Sequence, residues 1–509
     1  MLFKNGFHFC VLFFMLTIST AFAGPWLSPG NLSVKSDIDL LSDAGLIKAP
    51  VMTWPIAWVN IGPQLLSPET KAKLPQEPAV VQEAYQRIVT LYQHSYQPYQ
   101  SQQAVYASAS NRLNPFRTFQ YEPYSKFASG VSTAYQMKHF AESANISYYS
   151  APNQSYSNDV HIDNSYAYLL LGNWAIGFDQ FNRWWGPGYS DAMVLSQNAE
   201  PFPALGIQRM HAEAFQTKWL HWIGPWSVSS VVSENGAYNI PGVIDNELFW
   251  FTNVSFRPLQ SLQFDVSRNV LFAGQQRPLN SGMFLNLITF RNSWANIKNA
   301  PGSEEWDIGT TWSLMPRFNL PLKFYQQTLF SDEGGNGISY VPNCTTFLLG
   351  SSLTNDISFG TLRTYFEYEY NIEHLYYWWG AQTGATIAAA NPYGGQYPYY
   401  YYSQLLSSSL GSEGIGYTLG FILNENRGST DTATIRFLEP NSYNWGTSGT
   451  FGYPYSKQDL IWTSISRSIV LPHRIGSLNG ELGYLMSVYG NVGHLASGFS
   501  VIFTWSKNI

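Results

Sequence analysis

The chain has 509 residues, of which only 12% are charged while 17% are aromatic. Against the roughly 25% charge of an ordinary soluble domain this is sparse, and a formal net charge of −6, mixed in sign, makes no case for nucleic acid as a partner. Past the N-terminal leader no run of 18 or more predominantly apolar residues occurs, which argues against a helical membrane span.

Residues 1–23 read as a secretory signal: Lys4, an apolar stretch from Cys10 to Leu16, then Ala21-Phe22-Ala23 before Gly24. No cysteine sits at the cleavage point, so a lipid anchor is not suggested. Loss of the leader removes Lys4 and Cys10, leaving 26 basic residues against 33 acidic ones and one cysteine, Cys344. A single thiol makes no internal disulfide, so Cys344 reads as inert and stability has to come from packing and backbone pairing.

From 24 to 112 the pattern is helical and broken by prolines. Asn31-Leu32-Ser33 precedes a periodic stretch through Ile38 and Leu41 that Gly45 is suited to close, and 79–92 repeats apolar residues at helical intervals. This predicts a small periplasmic helical region. Asp37, Asp39 and Asp43 read there as a solvated helix face rather than a metal site.

From 113 to 509 the period becomes two. Leu262, Phe264 and Val266 alternate with Gln263, Asp265 and Ser267, and Phe366, Tyr368 and Tyr370 with Tyr365, Glu367 and Glu369. One face suits lipid and the other water, which reconciles few charges with many aromatics. Seventeen such stretches run from 126–137 to 496–506, and 113–121, with Phe116 and Phe119, is the candidate for an eighteenth. The predicted fold is all-β and transmembrane: an antiparallel outer-membrane β-barrel of about 18 strands, with lipid around it.

Tight connections at Gly172-Asn173, Arg257-Pro258-Leu259, 315–319 and Thr354-Asn355-Asp356 are assigned to the periplasmic side, because such barrels keep short turns there. The long segments 182–205, 235–248, 268–303, 331–344, 371–413 and 439–458 then face outward, and this parity predicts a short helix within 283–294.

Two outer segments stand out. Residues 376–402 hold Tyr376-Tyr377-Trp378-Trp379 and, later, Tyr393, Tyr397 and Tyr399 through Tyr402. Ring faces with nearby hydroxyls and amides suit the apolar and polar sides of a sugar; a self-packed loop or an interfacial girdle is the alternative. The other segment is Arg183-Trp184-Trp185-Gly186-Pro187-Gly188-Tyr189, followed by Leu195-Ser196-Gln197-Asn198-Ala199-Glu200-Pro201-Phe202-Pro203-Ala204-Leu205. Gly-Pro-Gly beside two tryptophans and a cation means at least an ordered irregular turn.

That double motif resembles the Wzi family of capsule-assembly outer-membrane proteins. Ser36 to Ile47 and Trp54-Pro55-Ile56-Ala57-Trp58 are also similar to the family's mature start. The resemblance implies an eighteen-stranded barrel with a periplasmic helical bundle. It also implies a lectin that attaches or organises capsular or other exported polysaccharide; the export machinery is a candidate further partner, on which the sequence itself is silent. Arg183, Trp184, Trp185, Tyr189, Tyr377, Trp378, Trp379, Tyr393 and Tyr397 are the candidate polysaccharide-binding residues, although Arg183, Trp184 and Trp185 serve equally well to fold their loop.

No catalytic constellation is apparent: there is no G-x-S-x-G, no H-E-x-x-H and no phosphate-cradling glycine loop. The acid pairs Glu304-Glu305, Asp332-Glu333 and Glu367 with Glu369 read as loop or lumen acids. Nine histidines without an i,i+4 pair give no metal case, and no cofactor is expected. The rival function is a porin-like channel for small solutes, since eighteen strands enclose a wet lumen unless something plugs it.

Overall fold

The computed structural model describes residues 24–152, 160–234, 247–274, 279–289, 304–331, 345–371, 389–390, 396–397, 399–401, 404–411, 414–426, 428–440, 459–471, 475–489 and 497–508. The expected leader, Cys344 and the pair Asp332-Glu333 lie outside them.

Eighteen antiparallel strands close into a barrel. In chain order they are β1 (Gln102–Ser110), β2 (Ser125–Gln136), β3 (Phe140–Pro152), β4 (Tyr166–Leu171), β5 (Trp174–Asp179), β6 (Ala204–Arg209), β7 (Trp226–Glu234), β8 (Leu248–Leu259) and β9 (Leu262–Phe272). The second half comprises β10 (Glu304–Ser313), β11 (Leu322–Ser331), β12 (Thr345–Ile357), β13 (Gly360–Tyr370), β14 (Ile415–Glu425), β15 (Thr430–Glu439), β16 (Asp459–Leu471), β17 (Gly476–Tyr489) and β18 (Gly498–Asn508). Closure is made by β18 on β1, in a register running from Ile502 opposite Ser110 to Asn508 opposite Ala104. Among the described residues every wall strand pairs with a neighbour on each side, as a membrane interior demands.

Each of the seventeen expected stretches holds a strand, although 206–216 is strand only to Arg209, and the eighteenth is β1 rather than 113–121. Residues 113–121 fold inward instead, burying Phe116 and Phe119 completely. Their rings mimic a lipid-facing pair because they pack into apolar parts of the plug, Phe119 between Trp54 and Trp184 and Phe116 with Leu410, Leu438 and Trp462. β1 escaped notice because its outward positions are Gln103, Val105, Ala107 and Ala109, too small to give a strong alternation. The wall therefore begins at Gln102, inside the stretch read as helical up to 112. Two hairpins also turn later than expected, at Gln260-Ser261 and Ser358-Phe359, since Arg257-Pro258-Leu259 and Thr354-Asn355-Asp356 still belong to strands.

Outward alternate residues such as Ile176, Phe178, Ile308, Phe366, Leu419 and Phe503 are exposed, while their neighbours point inward and are buried. This apolar outer wall is what a bilayer requires, and the protein is an outer-membrane barrel. The inner positions were expected to face water. They face protein: Gln263, Asp265, Ser267, Asn269, Tyr365, Glu367 and Glu369 are all sealed beneath a plug.

One part of that plug is helix α1 (Leu32–Asp43), capped by the Asn31 side chain accepting from Val34 N at 3.1 Å. It is closed at Gly45, whose φ of +73° is the left-handed conformation that glycine adopts without strain. Ten of its twelve residues are buried, so this helix has no water-facing side. The expected solvated acids are buried ion pairs. Arg87 grips Asp37 with two bonds of 2.7 and 2.8 Å, and Lys323 of the wall lies 3.2 Å from Asp39 and 3.1 Å from Asp43. Arg87 belongs to α2 (Ala79–Ser95), which packs Val81, Ala84 and Ile88 against α1 and leaves its other side more open. Arg257, beside the short β8–β9 turn, donates to Ser42 O at 2.6 Å and Ile47 O at 2.7 Å, which seats this region in the short-turn mouth of the barrel. A third helix, α3 (Ser281–Ile288), falls where a short helix was expected.

Candidate functional site

Trp184-Trp185 enters the lumen and pairs antiparallel with Thr53-Trp54, Trp184 opposite Trp54 and Trp185 opposite Thr53. Two motif segments about 130 residues apart in sequence are thus one small sheet. Phe119 is wedged edge-on between Trp54 at 5.1 Å and Trp184 at 5.3 Å, an arrangement that ring quadrupoles favour. Trp185 N donates to Leu195 O at 2.9 Å and Gly186 N to Met52 O at 3.1 Å, fixing both ends of the turn.

The glycines of Gly186-Pro187-Gly188 are required by space. A Cβ on Gly186, whose φ is +154°, would stand 2.2 Å from Gln327 Oε1, and one on Gly188 would stand 2.2 Å from the backbone oxygen of Asp191. That tight passage turns Tyr189 toward α1, where its hydroxyl donates to Asp39 Oδ2 at 2.6 Å and accepts from Arg363 Nη1 at 2.8 Å. Its ring stacks on Tyr365 at 4.9 Å, with the Lys35 ammonium 4.8 Å from its centroid.

Charges in this plug are answered by donors. The backbone N–H groups of Tyr189 and Ser190 reach the two oxygens of Glu367 at 2.6 and 2.8 Å, and the Tyr325 hydroxyl donates to it at 2.7 Å. Burial alone would raise the Asp39 carboxyl. Lys323, Lys35 and Arg363 overcome that and hold it well below the usual carboxylate range. Asp43, with Lys323 but also Asp39 beside it, is instead pushed up, mainly by burial.

A family model described as capsule assembly protein Wzi matches residues 94–426, well over half of the chain. The chain belongs to that family. Its fold matches that of Wzi from Escherichia coli, described as an outer-membrane protein involved in group 1 capsule assembly and a carbohydrate-binding β-barrel. The TM-score is 0.76 at 19% identity, over 95% of this chain and 99% of that one. The chain is also 28% identical over 186 residues to an uncharacterized 55.8 kDa protein in the cps region of Klebsiella pneumoniae. That match spans 36% of this chain and about a third, 35%, of the relative's length.

In this Wzi-family barrel Tyr399 and residues 404–411, at and just beyond the described end of the aromatic outer segment, join the same plug. Tyr399 is buried and donates to Asn269 O at 3.2 Å, while Leu406 O and Leu405 O accept from Ser196 N at 2.8 Å and Asn198 Nδ2 at 3.0 Å. Ser409 N and its hydroxyl both donate to Asp191 at 3.1 Å. Arg183 pairs with Asp179, donates to Phe181 O at 3.3 Å and lies over the Phe202 ring at 4.8 Å.

Of the residues singled out for sugar contact, Arg183, Trp184, Trp185 and Tyr189 are brought together, but all four are at most 4% exposed and engaged with protein. Their burial supports the loop-folding role for this motif. Tyr377, Trp378, Trp379 and Tyr393 lie outside the described residues, and Tyr397 is described only as backbone paired with Ala389. Sequence reasoning missed that Tyr399 and Tyr401, from the same aromatic run, are plug residues. The nearest signal was the small-residue stretch Ser407-Ser408-Ser409, all three of which are buried.

Proposed function

We propose that this barrel is an outer-membrane lectin that binds capsular or other exported polysaccharide at its outer face and helps attach or organise it there, without converting it. The observation that carries the reading is the interlocked plug of a Wzi-family barrel. The segment after β5 and residues 404–411 are anchored to one another inside the lumen, so they form a fixed platform rather than the rim of an open conduit. Within the aromatic stretch 376–402, Tyr377, Trp378, Trp379, Tyr393 and Tyr397 are the proposed sugar contacts. The carbohydrate binding described for the Escherichia coli barrel supports the same ligand class here. With short turns toward the periplasm, α1 and α2 face the side from which polysaccharide arrives, where export machinery would dock.

The test is deletion of the gene, with cell-associated and released polysaccharide measured separately. Loss of the cell-bound fraction, restored by the full chain but not by a chain in which Tyr377, Trp378, Trp379 and Tyr393 are all replaced by alanine, is expected; unchanged retention on deletion would sink the attachment role. Single-channel recordings of the purified protein address the porin-like alternative. The packed lumen predicts closed traces, and a large steady conductance would favour the channel.

A further inference from the structure

Beyond the sugar-binding reading, the outer mouth holds a second cluster that the plug does not explain. The wall between β3 and β4 departs from its ladder: His161 pairs opposite Ser147, Tyr166 opposite Ser143, and the residues between them turn inward through Asn164 at a φ of +64°. This carries Asp163 to within reach of His161 and of Glu200 on the motif loop. His161 Nδ1 lies 3.3 Å from Glu200 Oε2, and one ligand atom from each of the three residues lies within 4.8 Å of the others. All three are buried.

The surroundings orient these groups. Tyr149 donates to Asp163 Oδ2 at 2.7 Å and Gln180 Nε2 to its Oδ1 at 2.9 Å, while the Tyr149 ring stacks on the imidazole at 4.2 Å and fixes its plane. Asn145 donates its Nδ2 to the Asp163 carbonyl, yet its Oδ1, on the same amide and 95% buried with the rest of the residue, has no hydrogen-bond partner. Among the described residues no lysine or arginine forms an ion pair with either carboxylate. Two buried carboxylates converging on one imidazole form a donor set that a bound cation would stabilise in a dry site.

We propose that His161, Asp163 and Glu200 form a binding site for a divalent cation of the zinc or manganese class, tying the β3–β4 turn to the motif loop. One imidazole with two carboxylates suits such borderline cations better than the all-oxygen sets of calcium. Tetrahedral zinc with bonds near 2.1 Å sets its donors about 3.4 Å apart. The side chains therefore close by about an ångström around the ion, with Tyr149 and Gln180 holding the Asp163 carboxylate in place. Sequence inspection passed over the site because its histidine and acids are spaced i, i+2 and i+39, with no helical repeat to betray them.

The full chain, purified in detergent and stripped with EDTA, is titrated calorimetrically with ZnCl2, MnCl2 and CaCl2. Saturable binding of zinc or manganese near one ion per chain is expected, weakened at least tenfold by Glu200→Gln and by His161→Ala, with calcium much weaker. Heat-modifiable electrophoretic mobility reports that each variant has kept its barrel. No saturable binding of zinc or manganese to the wild type, or binding unchanged in both folded variants, overturns the proposal. Anomalous scattering from zinc-soaked wild-type crystals decides independently of any variant: a peak between the three side chains supports it, and its absence there refutes it.

Discussion

The Tyr189 hydroxyl donates to Asp39 across 2.6 Å inside the barrel, joining a loop that enters from the long-loop side to a helix seated from the short-turn side. Arg363 of the wall donates to the same hydroxyl at 2.8 Å, so one phenol ties loop, helix and wall together. Tyr189→Phe keeps the ring stack and removes only this junction. A buried hydrogen bond left unmade costs about 1–3 kcal/mol, and guanidinium unfolding in detergent micelles followed by tryptophan fluorescence is the check. Combined with Asp39→Asn, the two losses are expected to fall short of additivity by about 0.5–3 kcal/mol. Strict additivity would mean that the contact carries no energy.

The two acids of α1 that meet Lys323 are expected to respond oppositely to pH. Asp39 has a folded-state pKa below its unfolded value, because Lys323, Lys35 and Arg363 outweigh burial. Its stabilisation is thus fully present above the ordinary carboxylate range and fades as pH falls toward the lowered value. Asp43 is pushed up by burial and by Asp39, so ionising it costs stability and the cost grows as pH rises through its folded value. At neutral pH Asp39→Asn should therefore destabilise more than Asp43→Asn, and should also flatten the loss of stability on acidification. Unfolding free energies of the three proteins across the acid range give the answer; equal losses at neutral pH would contradict this assignment.

The wall was legible in the sequence because a two-residue period survives wherever large side chains face lipid, as at Leu262, Phe264 and Val266. It failed at β1, whose outward side chains are small, and at Phe116 and Phe119, which are apolar for the sake of the plug. The same ambiguity governs the motif. Trp184 and Trp185 look alike as sugar platforms or as core residues, and only their pairing with Thr53 and Trp54 decides where they go. Asp37, Asp39 and Asp43 read as a solvated face because nothing local reveals Arg87, Lys323 and Arg363 arriving from distant parts of the chain.

The glycines of the motif yield a sharper discrimination. At Gly186 an added methyl meets the far end of the Gln327 side chain, whose amide also holds Trp185 O at 2.9 Å and Met193 N at 3.0 Å. At Gly188 it meets backbone, which cannot swing aside. Gly186→Ala is expected to cost about 1–3 kcal/mol from its backbone conformation alone, plus a steric part that Gln327→Ala relieves. Gly188→Ala should not be rescued by that second change. Thermal unfolding midpoints of the single and double variants distinguish the two, and rescue of both by Gln327→Ala would refute the contact geometry.

On the outside of the wall, Arg268 grips Glu304 through two bonds of 2.6 and 2.7 Å, in the same outward row as Val266 and Val270. A charge pair facing lipid needs cover, and α3 supplies it. Leu287 O accepts from Arg268 Nη1 at 2.8 Å, and Met283 and Leu287 pack on Val270 and Phe272. Phe284, Leu285 and Ile288 of the same helix stay exposed, which suits an outer-leaflet environment. Glu304→Gln would remove the guanidinium's counter-charge beneath this helix at a cost of up to about 3–5 kcal/mol, whereas replacing both partners by apolar residues of similar volume is often close to neutral. Unfolding of E304Q should therefore come at clearly lower denaturant than that of the R268M/E304L double variant. If the double variant is the less stable of the two, the pair is a net stabiliser of the wall rather than a charge that α3 merely shelters.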